Sequence, residues 1–405
     1  SPAWSNYNSS QLTIGGTSSA TNAGSYSATF TPTSNYKWSD GTTTAKSASW
    51  TIGKATGSIT LSASSLSLTY PKTSGTITVT RPGSGTVTAS SGSTNIATVS
   101  VSGTTITVTA KATGSATITV NVGADTNYTA PSSKTFTVAV TLVSKTLSSN
   151  SWAVIKAVSD AGQGANYWSV GATKSVTING KVGATTISSL KVDAFIIGFN
   201  HNSGKEGSNR IHFLLGKISG KFVGLVDSSY GSTTSTSGAF TMNTSNTNSG
   251  GWGSSQMRSK VLGSASSPTS PIANTLLAAL PADLRAVMKS CTKYTDNNGG
   301  GNTASNVSST TDYLFLLSEY EVFATHQYCN DAEPNYQAQY DYFKAGNSKV
   351  ANKHSDTGTA AVWWLRSPNY NNINNNNYFC AVSSSGSLDY NNANNAYGVV
   401  PGFVV

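Results

Sequence analysis

The feature that most constrains this chain is a strict two-residue alternation of apolar and polar side chains over its first 141 residues. Tyr26, Ala28 and Phe30 alternate with polar neighbours. So do Ala48, Trp50 and Ile52; Leu66, Leu68 and Tyr70; Ile77 and Val79; Ile106, Val108 and Ala110; and Ala116, Ile118 and Val120. A period of two puts one face of each run in a core and the other in water. Turn residues separate the runs at short intervals, as at 81–85 and 102–104. The pattern predicts all-β sandwiches and leaves no room for long helices.

The texture changes near residue 142. Residues 1–141 hold no Glu, His, Cys or Met, whereas 142–405 hold all four. We therefore expect three parts: a short or truncated module over 1–54, a seven-strand sandwich over 55–141, and an α+β domain over 142–405. In the last part the spacing predicts a helix over 151–161, stopped by Gly162, and strands over 174–178, 187–199, 211–215 and 222–226. Helical segments are expected over 254–262 and over 272–288, the second interrupted by Pro281. Residues 314–323 read as a strand passing into a short helix. Residues 378–382 and 388–390 flank Ser383–Ser387 as a hairpin.

Composition excludes several function classes. Only 10% of residues are charged, against ~25% in ordinary soluble domains. The net charge of +9 is thinly spread, with no basic run of the kind that tracks nucleic acid. No apolar run approaches the ~18 residues of a membrane-spanning helix. The three cysteines, Cys291, Cys329 and Cys380, have neither zinc nor redox spacing and read as reduced, partly buried thiols. His201, His212, His326 and His354 lack metal-ligand spacing. No nucleophile–base order, phosphate loop or carboxylate pair stands out, so neither catalysis nor a cofactor is expected.

Residues 369–395 stand apart. Asparagine occupies 369, 371, 372, 374, 375, 376, 377, 391, 392, 394 and 395. Two blocks share one pattern, two asparagines on each side of a single apolar residue, Ile373 in the first and Ala393 in the second. A hairpin turning near Ser385 sets Asn375 opposite Asn395 and Asn376 opposite Asn394. Cross-strand neighbours lie ~5 Å apart, so the blocks are expected to form one patch beyond the hairpin's open end. Asparagine is a poor strand former and favours turns, so these ends are expected to be exposed loops or irregular strands.

Residues 142–405 resemble the C-type lectin-fold variable proteins of diversity-generating retroelements. The matching stretches are 167–171, 194–199, 242–253, 314–319, 342–348, 363–368 (Trp-Trp-Leu-Arg-Ser-Pro) and 398–403. Relatives often carry Arg before the closing Pro; Val400 stands there in this chain. Residues 24–52 and 96–122 resemble bacterial immunoglobulin-like modules, which commonly serve as stalks. In the variable-protein family an error-prone copying step mutates template adenines, and asparagine codons begin with two of them. The resemblance thus implies that Asn369, Tyr370, Asn371, Asn372, Asn374, Asn375, Asn376, Asn377, Asn391, Asn392, Asn394 and Asn395 are variable, ligand-contacting positions. Ile373, Phe379, Cys380, Val382 and Gly386 are then fixed scaffold. It further implies a phage or bacterial surface protein without cofactor or metal, binding a variable protein or glycan partner on a bacterial surface. Trimers are common in phage receptor-binding assemblies. The alternative is a bacterial adhesin with a fixed glycan-binding site.

Other signals weigh less. Glu333-Pro-Asn335 matches the sugar-binding tripeptide of calcium-dependent lectins, but its companion Trp-Asn-Asp is missing, and calcium needs six to eight oxygens. Asp389 is expected to cap a turn or hold a local amide. Trp252 is expected to be buried. Of Trp363 and Trp364, one is expected in the core and the other beneath the variable patch. Arg366 is expected to make a structural ion pair or hydrogen bond.

Overall fold

The structure is a computed structural model that describes residues 1–299, 301–370 and 376–405. The chain is mostly β and divides into two compact units, Ser1–Leu142 and Val143–Val405.

The first unit opens with one antiparallel sheet of β1 (Leu12–Gly16), β2 (Gly24–Pro32) and β3 (Lys46–Ile52). Its register sets Tyr26 opposite Trp50 and Ala28 opposite Ala48, so the alternating apolar residues share one face. Trp4 and Tyr7 lie on that face against Phe30, with ring centroids 5.1 and 5.9 Å away. This is a single sheet and not the sandwich expected of an immunoglobulin-like module. With only three strands there is no second sheet to close a core, and Ala28 is its one fully buried apolar residue.

A true sandwich follows. One sheet joins β4 (Thr60–Leu61), β6 (Ser74–Thr80), β9 (Thr105–Ala110) and β8 (Ala97–Ser102). The other joins β5 (Ser65–Thr69), β11 (Lys134–Thr141), β10 (Gly114–Val122) and β7 (Val87–Ser91). There are eight strand segments where seven were expected. The leading strand is divided: β4 pairs with β6, and β5 runs parallel to β11 in the opposite sheet. Leu68, Ile77, Val79, Ile106, Val108, Ile118, Val120, Phe136 and Val138 fill the space between the sheets. Apart from Phe136 and Val138, these are residues of the alternating runs read from the sequence.

The second unit begins with α1 (Trp152–Asp160). The Ser151 hydroxyl caps it by accepting from the Val154 amide, and Gly162, at φ +67°, turns the chain away. A long sheet runs β12 (Thr173–Val182), β13 (Thr185–Phe199), β14 (Ile211–Ile218), β15 (Lys221–Gly224), then β18 (Ala351–Lys353) and β19 (Asp356–Ala361). Between β15 and β18 in the chain lies a hairpin of β16 (Cys291–Asp296) and β17 (Val307–Asp312). A separate three-stranded sheet joins β20 (Trp363–Pro368), β21 (Tyr378–Val382) and β22 (Leu388–Asn392). The last strand, β23 (Gly402–Val404), returns to pair with β14.

The expected helices shrink. Residues 254–262 become one helical turn, Gly251–Ser254, and a wide helical turn, Met257–Leu262. Pro281 splits 272–288 into Leu276–Ala279 and Ala282–Arg285. Strands β16–β19 escaped the sequence reading because Lys, Thr, Asn and Ser interrupt their apolar pattern. No helix among the described residues is long and apolar enough to cross a membrane.

Phe136 is 1% exposed at the centre of the sandwich. Phe136→Ala is expected to cost about 3–5 kcal/mol of sandwich stability, measured by chemical denaturation.

Candidate functional site

The hairpin β21–β22 organises the candidate surface. Its register pairs Tyr378 with Asn392, Cys380 with Tyr390 and Val382 with Leu388. The turn runs from Ser383 to Ser387, with Gly386 at φ +84°. This is the register that a turn centred on Ser385 implies. Beyond the last pair, the Ala393 amide donates to the Asn377 carbonyl at 2.7 Å. Asn377 and the second asparagine block therefore meet at the open end of one hairpin.

Their environments differ from one position to the next. Asn376 is exposed, while Asn377, Asn391, Asn392, Asn394 and Asn395 are half-buried. Asn391 and Asn392 lie inside β22 opposite Phe379 and Tyr378, and are not the irregular, exposed ends expected. Ladder pairing with an apolar strand outweighs the weak strand propensity of asparagine. Asn369 also departs from expectation: it is 2% exposed, and its amide donates to the Tyr378 carbonyl at 3.0 Å. It is a root of the sheet and not part of a surface. Asn371, Asn372, Asn374 and Asn375 lie outside the described residues.

Two neighbours that the sequence reading missed, Thr233 and Asn246, touch these positions. The Thr233 hydroxyl donates to Asn395 Oδ1 at 2.9 Å, and Asn246 Nδ2 donates to Asn392 Oδ1 at 3.1 Å. The half-buried Tyr370 donates its hydroxyl to Asp331 Oδ1 at 2.9 Å. Partial burial and that carboxylate push the phenol up to about 12. Tyr390 packs edge-on between Tyr328 and Tyr378, with centroids 4.9 and 5.0 Å away. Asp389 accepts from the Tyr390 amide at 2.8 Å, the local amide contact expected of it. The one available signal for this frame was the Asn-, Ser- and Thr-rich stretch 243–248.

Beneath the hairpin lies a buried polar frame. Arg366, on β20, is fully buried. Its guanidinium forks onto Glu321, with Nη1 at 2.5 Å from Oε2 and Nη2 at 3.1 Å from Oε1, and its Nε donates to Thr295 Oγ1 at 2.7 Å. Glu321 also closes a capping box with Ser318 at the start of helix Glu319–Phe323. Lys293, equally buried, donates to Glu321 Oε1 at 2.8 Å, Glu206 Oε2 at 2.7 Å and the Tyr340 hydroxyl at 2.8 Å. Burial opposes ionisation of Glu321, but Arg366 and Lys293 outweigh it and hold its carboxyl well below the usual range.

Two sets of side chains in this frame bring metal-ligand atoms within 4.8 Å of one another: Glu206, His212 and Cys291, and His201, Glu206 and Glu321. The donors are suitable, yet the Lys293 ammonium already supplies the cation that both carboxylates need. Burial drives the Cys291 thiol far above its ordinary range, away from the thiolate a metal would require. His201 stacks on Tyr340 with centroids 3.6 Å apart. Burial, reinforced by Lys293, pushes its imidazole down to about 3.

Other candidates also fall to the scaffold. Glu333 is fully buried; it accepts from the Asp296 amide at 3.0 Å and the Ser367 hydroxyl at 2.7 Å, and burial pushes it up to about 7. It braces the frame and is not an exposed calcium ligand. Trp252 is buried and donates to Asp312 at 3.2 Å. Trp363 and Trp364 are both fully buried, so neither reaches the surface, although Trp364 packs against Tyr397 at 5.3 Å. All three cysteines are free and buried.

Residues 235–405 match a family described as a domain of unknown function, DUF6273. Among solved structures, the chain is similar to domains 1–6 of the surface layer protein SbsC, at 24% identity and a TM-score of 0.20. That match covers 29% of this chain and 16% of the SbsC chain. Domains 4 and 5 of the same protein match at 20% identity and a TM-score of 0.20, covering 33% of this chain and 71% of that one. No curated protein matches the chain.

Two predictions follow from the frame. Glu321→Gln leaves Arg366 and Lys293 short of a buried counter-charge and is expected to cost about 3–5 kcal/mol in urea denaturation. The folded-state pKa of His201 lies below the unfolded value, so its contribution to stability is complete above about pH 6.5 and is lost as pH falls toward about 3. Denaturation midpoints measured across that window are expected to fall with acidity, and less steeply in His201→Gln.

Proposed function

We propose that the chain is a surface recognition protein of the diversity-generating-retroelement type. Its second unit acts as a C-type lectin-fold scaffold for a variable binding face, and the β4–β11 sandwich of its first unit as an immunoglobulin-like stalk. The observation that carries this reading is the hairpin register. Tyr378 opposite Asn392, with Asn377 bonded to Ala393, gathers Asn376, Asn377, Asn391, Asn392, Asn394 and Asn395 at one end of a single sheet.

The action is binding and not catalysis. Amide side chains offer donors and acceptors but few large anchors, and strong interfaces depend on Trp, Tyr and Arg. A version with asparagine throughout the blocks is therefore a weak binder, and diversified siblings carry the specific partners. Those partners are proteins or glycans on a bacterial surface, met from a virion or from another cell envelope. Loops and strand ends on a rigid frame suit this role because exchange at half-exposed positions leaves the core untouched.

Two measurements test the reading. Deep sequencing of the 3′ end of the gene in its native population is expected to show substitutions concentrated in the asparagine codons of 371–377 and 391–395. Retention of asparagine there sinks the proposal and leaves a fixed adhesin, to be assayed on glycans. Separately, Asn376→Ser, Asn377→Tyr and Asn394→Asp are each expected to shift unfolding free energy by no more than ~0.5 kcal/mol.

A further inference from the structure

We infer that Asn248 is the positioning residue of the variable face: a buried amide, outside both asparagine blocks, that fixes the chain at Asn369, Asn376 and Tyr378 and aligns it with the second block. The inference rests on the reading of the hairpin end as the recognition surface.

Asn248 has no exposed surface. Its side-chain Nδ2 donates to two backbone carbonyls, those of Asn369 and Tyr378, at 3.1 Å each. Its backbone amide donates to the carbonyl of Asn376 at 2.6 Å. One residue thus grips the chain where it leaves β20 and where it returns to β21. The same segment reaches the second block. The Asn243 amide donates to the Ala393 carbonyl at 2.9 Å, and Asn246 Nδ2 reaches Asn392 Oδ1.

All but one of these bonds end on a backbone carbonyl. A carbonyl is the same group whatever side chain its residue carries. The strap at 243–248 therefore holds the backbone at Asn369, Asn376, Tyr378 and Ala393 without reading the side chains there, as a surface with changeable side chains requires. The residue type at 248 follows. A short primary amide supplies two N–H donors at one nitrogen. Aspartate, of the same shape, would turn an oxygen toward two carbonyl oxygens.

The strap is itself backed from behind. Asp296 Oδ1 accepts from the Asn298 and Gly299 amides at 2.9 Å, and Asn330 Nδ2 donates to Asp296 Oδ2 at 2.9 Å. Gly299, at φ +74°, lies so close that a Cβ there would come within 2.0 Å of the Asn248 carbonyl oxygen. The position of Asn248 is thus set by the buried frame and passed to the surface through hydrogen bonds.

The test is hydrogen–deuterium exchange on the full chain carrying Asn248→Asp, with Asn248→Ser as a second variant that replaces the two-donor amide by a shorter, single-donor hydroxyl without adding charge. In both, the amides of Asn369 and Ala393 are expected to exchange about tenfold faster, while those of His212, Phe213 and Leu214 keep their wild-type rates. Asn376→Ala is expected to be silent at those amides in the wild-type background and to accelerate them further beside Asn248→Ser. Unchanged rates at Asn369 and Ala393 overturn the inference. Equal acceleration at His212–Leu214 also overturns it, because Asn248 is then an ordinary core residue. If Asn248→Asp does not fold, Asn248→Ser decides by the same criteria. Failure of the diversification reading shows instead in the population sequences, which these rates do not affect.

Discussion

The second unit depends on one carboxylate. Glu321 sits where helix Glu319–Phe323, strand β16 and strand β20 converge, and it neutralises Arg366 from one and Lys293 from the other. In a low-dielectric interior the partners are not exchangeable. Any packing that parts them strands a charge, at a cost of several kcal/mol. The ion pairs therefore fix where β16 and β20 lie relative to the helix, and β20 is the strand on which the β21–β22 hairpin is built. The Ser318 capping box ties the same carboxylate to the helix start, so helix geometry and charge pairing are set by one group.

Within one small sheet the interior and the rim are held in different ways. Toward the core, side chains determine everything: Arg366, Trp363, Trp364, Phe379 and Cys380 have no exposure. Toward the open end, geometry passes to the backbone. Asn377 is held through its carbonyl, Asn394 through its carbonyl by the Thr234 amide, and Asn369 through both its amide and its carbonyl. Among the described residues, the side chains of Asn392 and Asn395 take part, through amide and hydroxyl contacts at the edge of the surface. Substitution at the rim is insulated from the charges below by a layer of main-chain hydrogen bonds.

The buried histidines illustrate the limits of spacing rules. His201 and His212 are eleven positions apart with no ligand pattern between them, and read as ordinary core or surface residues. The β13–β14 connection brings them to one side of Tyr340, with ring centroids 5.6 Å apart. There they join Glu206 and Cys291 in a cluster of metal-donor side chains whose cation, Lys293, comes from within the chain. Lys293 comes from a strand whose Thr and Lys residues hide it from pattern reading.

The sequence alone determined what depends on local periodicity and local turns: the β character of residues 1–141, most of the sandwich core, α1 with its glycine stop, and the β21–β22 hairpin down to its register. Each follows from which side chains alternate and where a turn is cheap. It also marked the two asparagine blocks, because composition is visible without a fold. Tertiary structure alone decided which members of those blocks face solvent, that Asn369 is a buried root, that both Trp363 and Trp364 are core, and that Glu333 braces the frame. It also decided that 1–54 forms a single sheet and that Asn248 meets Asn369, Asn376 and Tyr378. These depend on contacts that no local period encodes, some of them, as between Asn248 and Tyr378, 130 positions apart, where one backbone carbonyl or one buried charge selects its partner by distance and desolvation, and neither leaves a trace in local sequence.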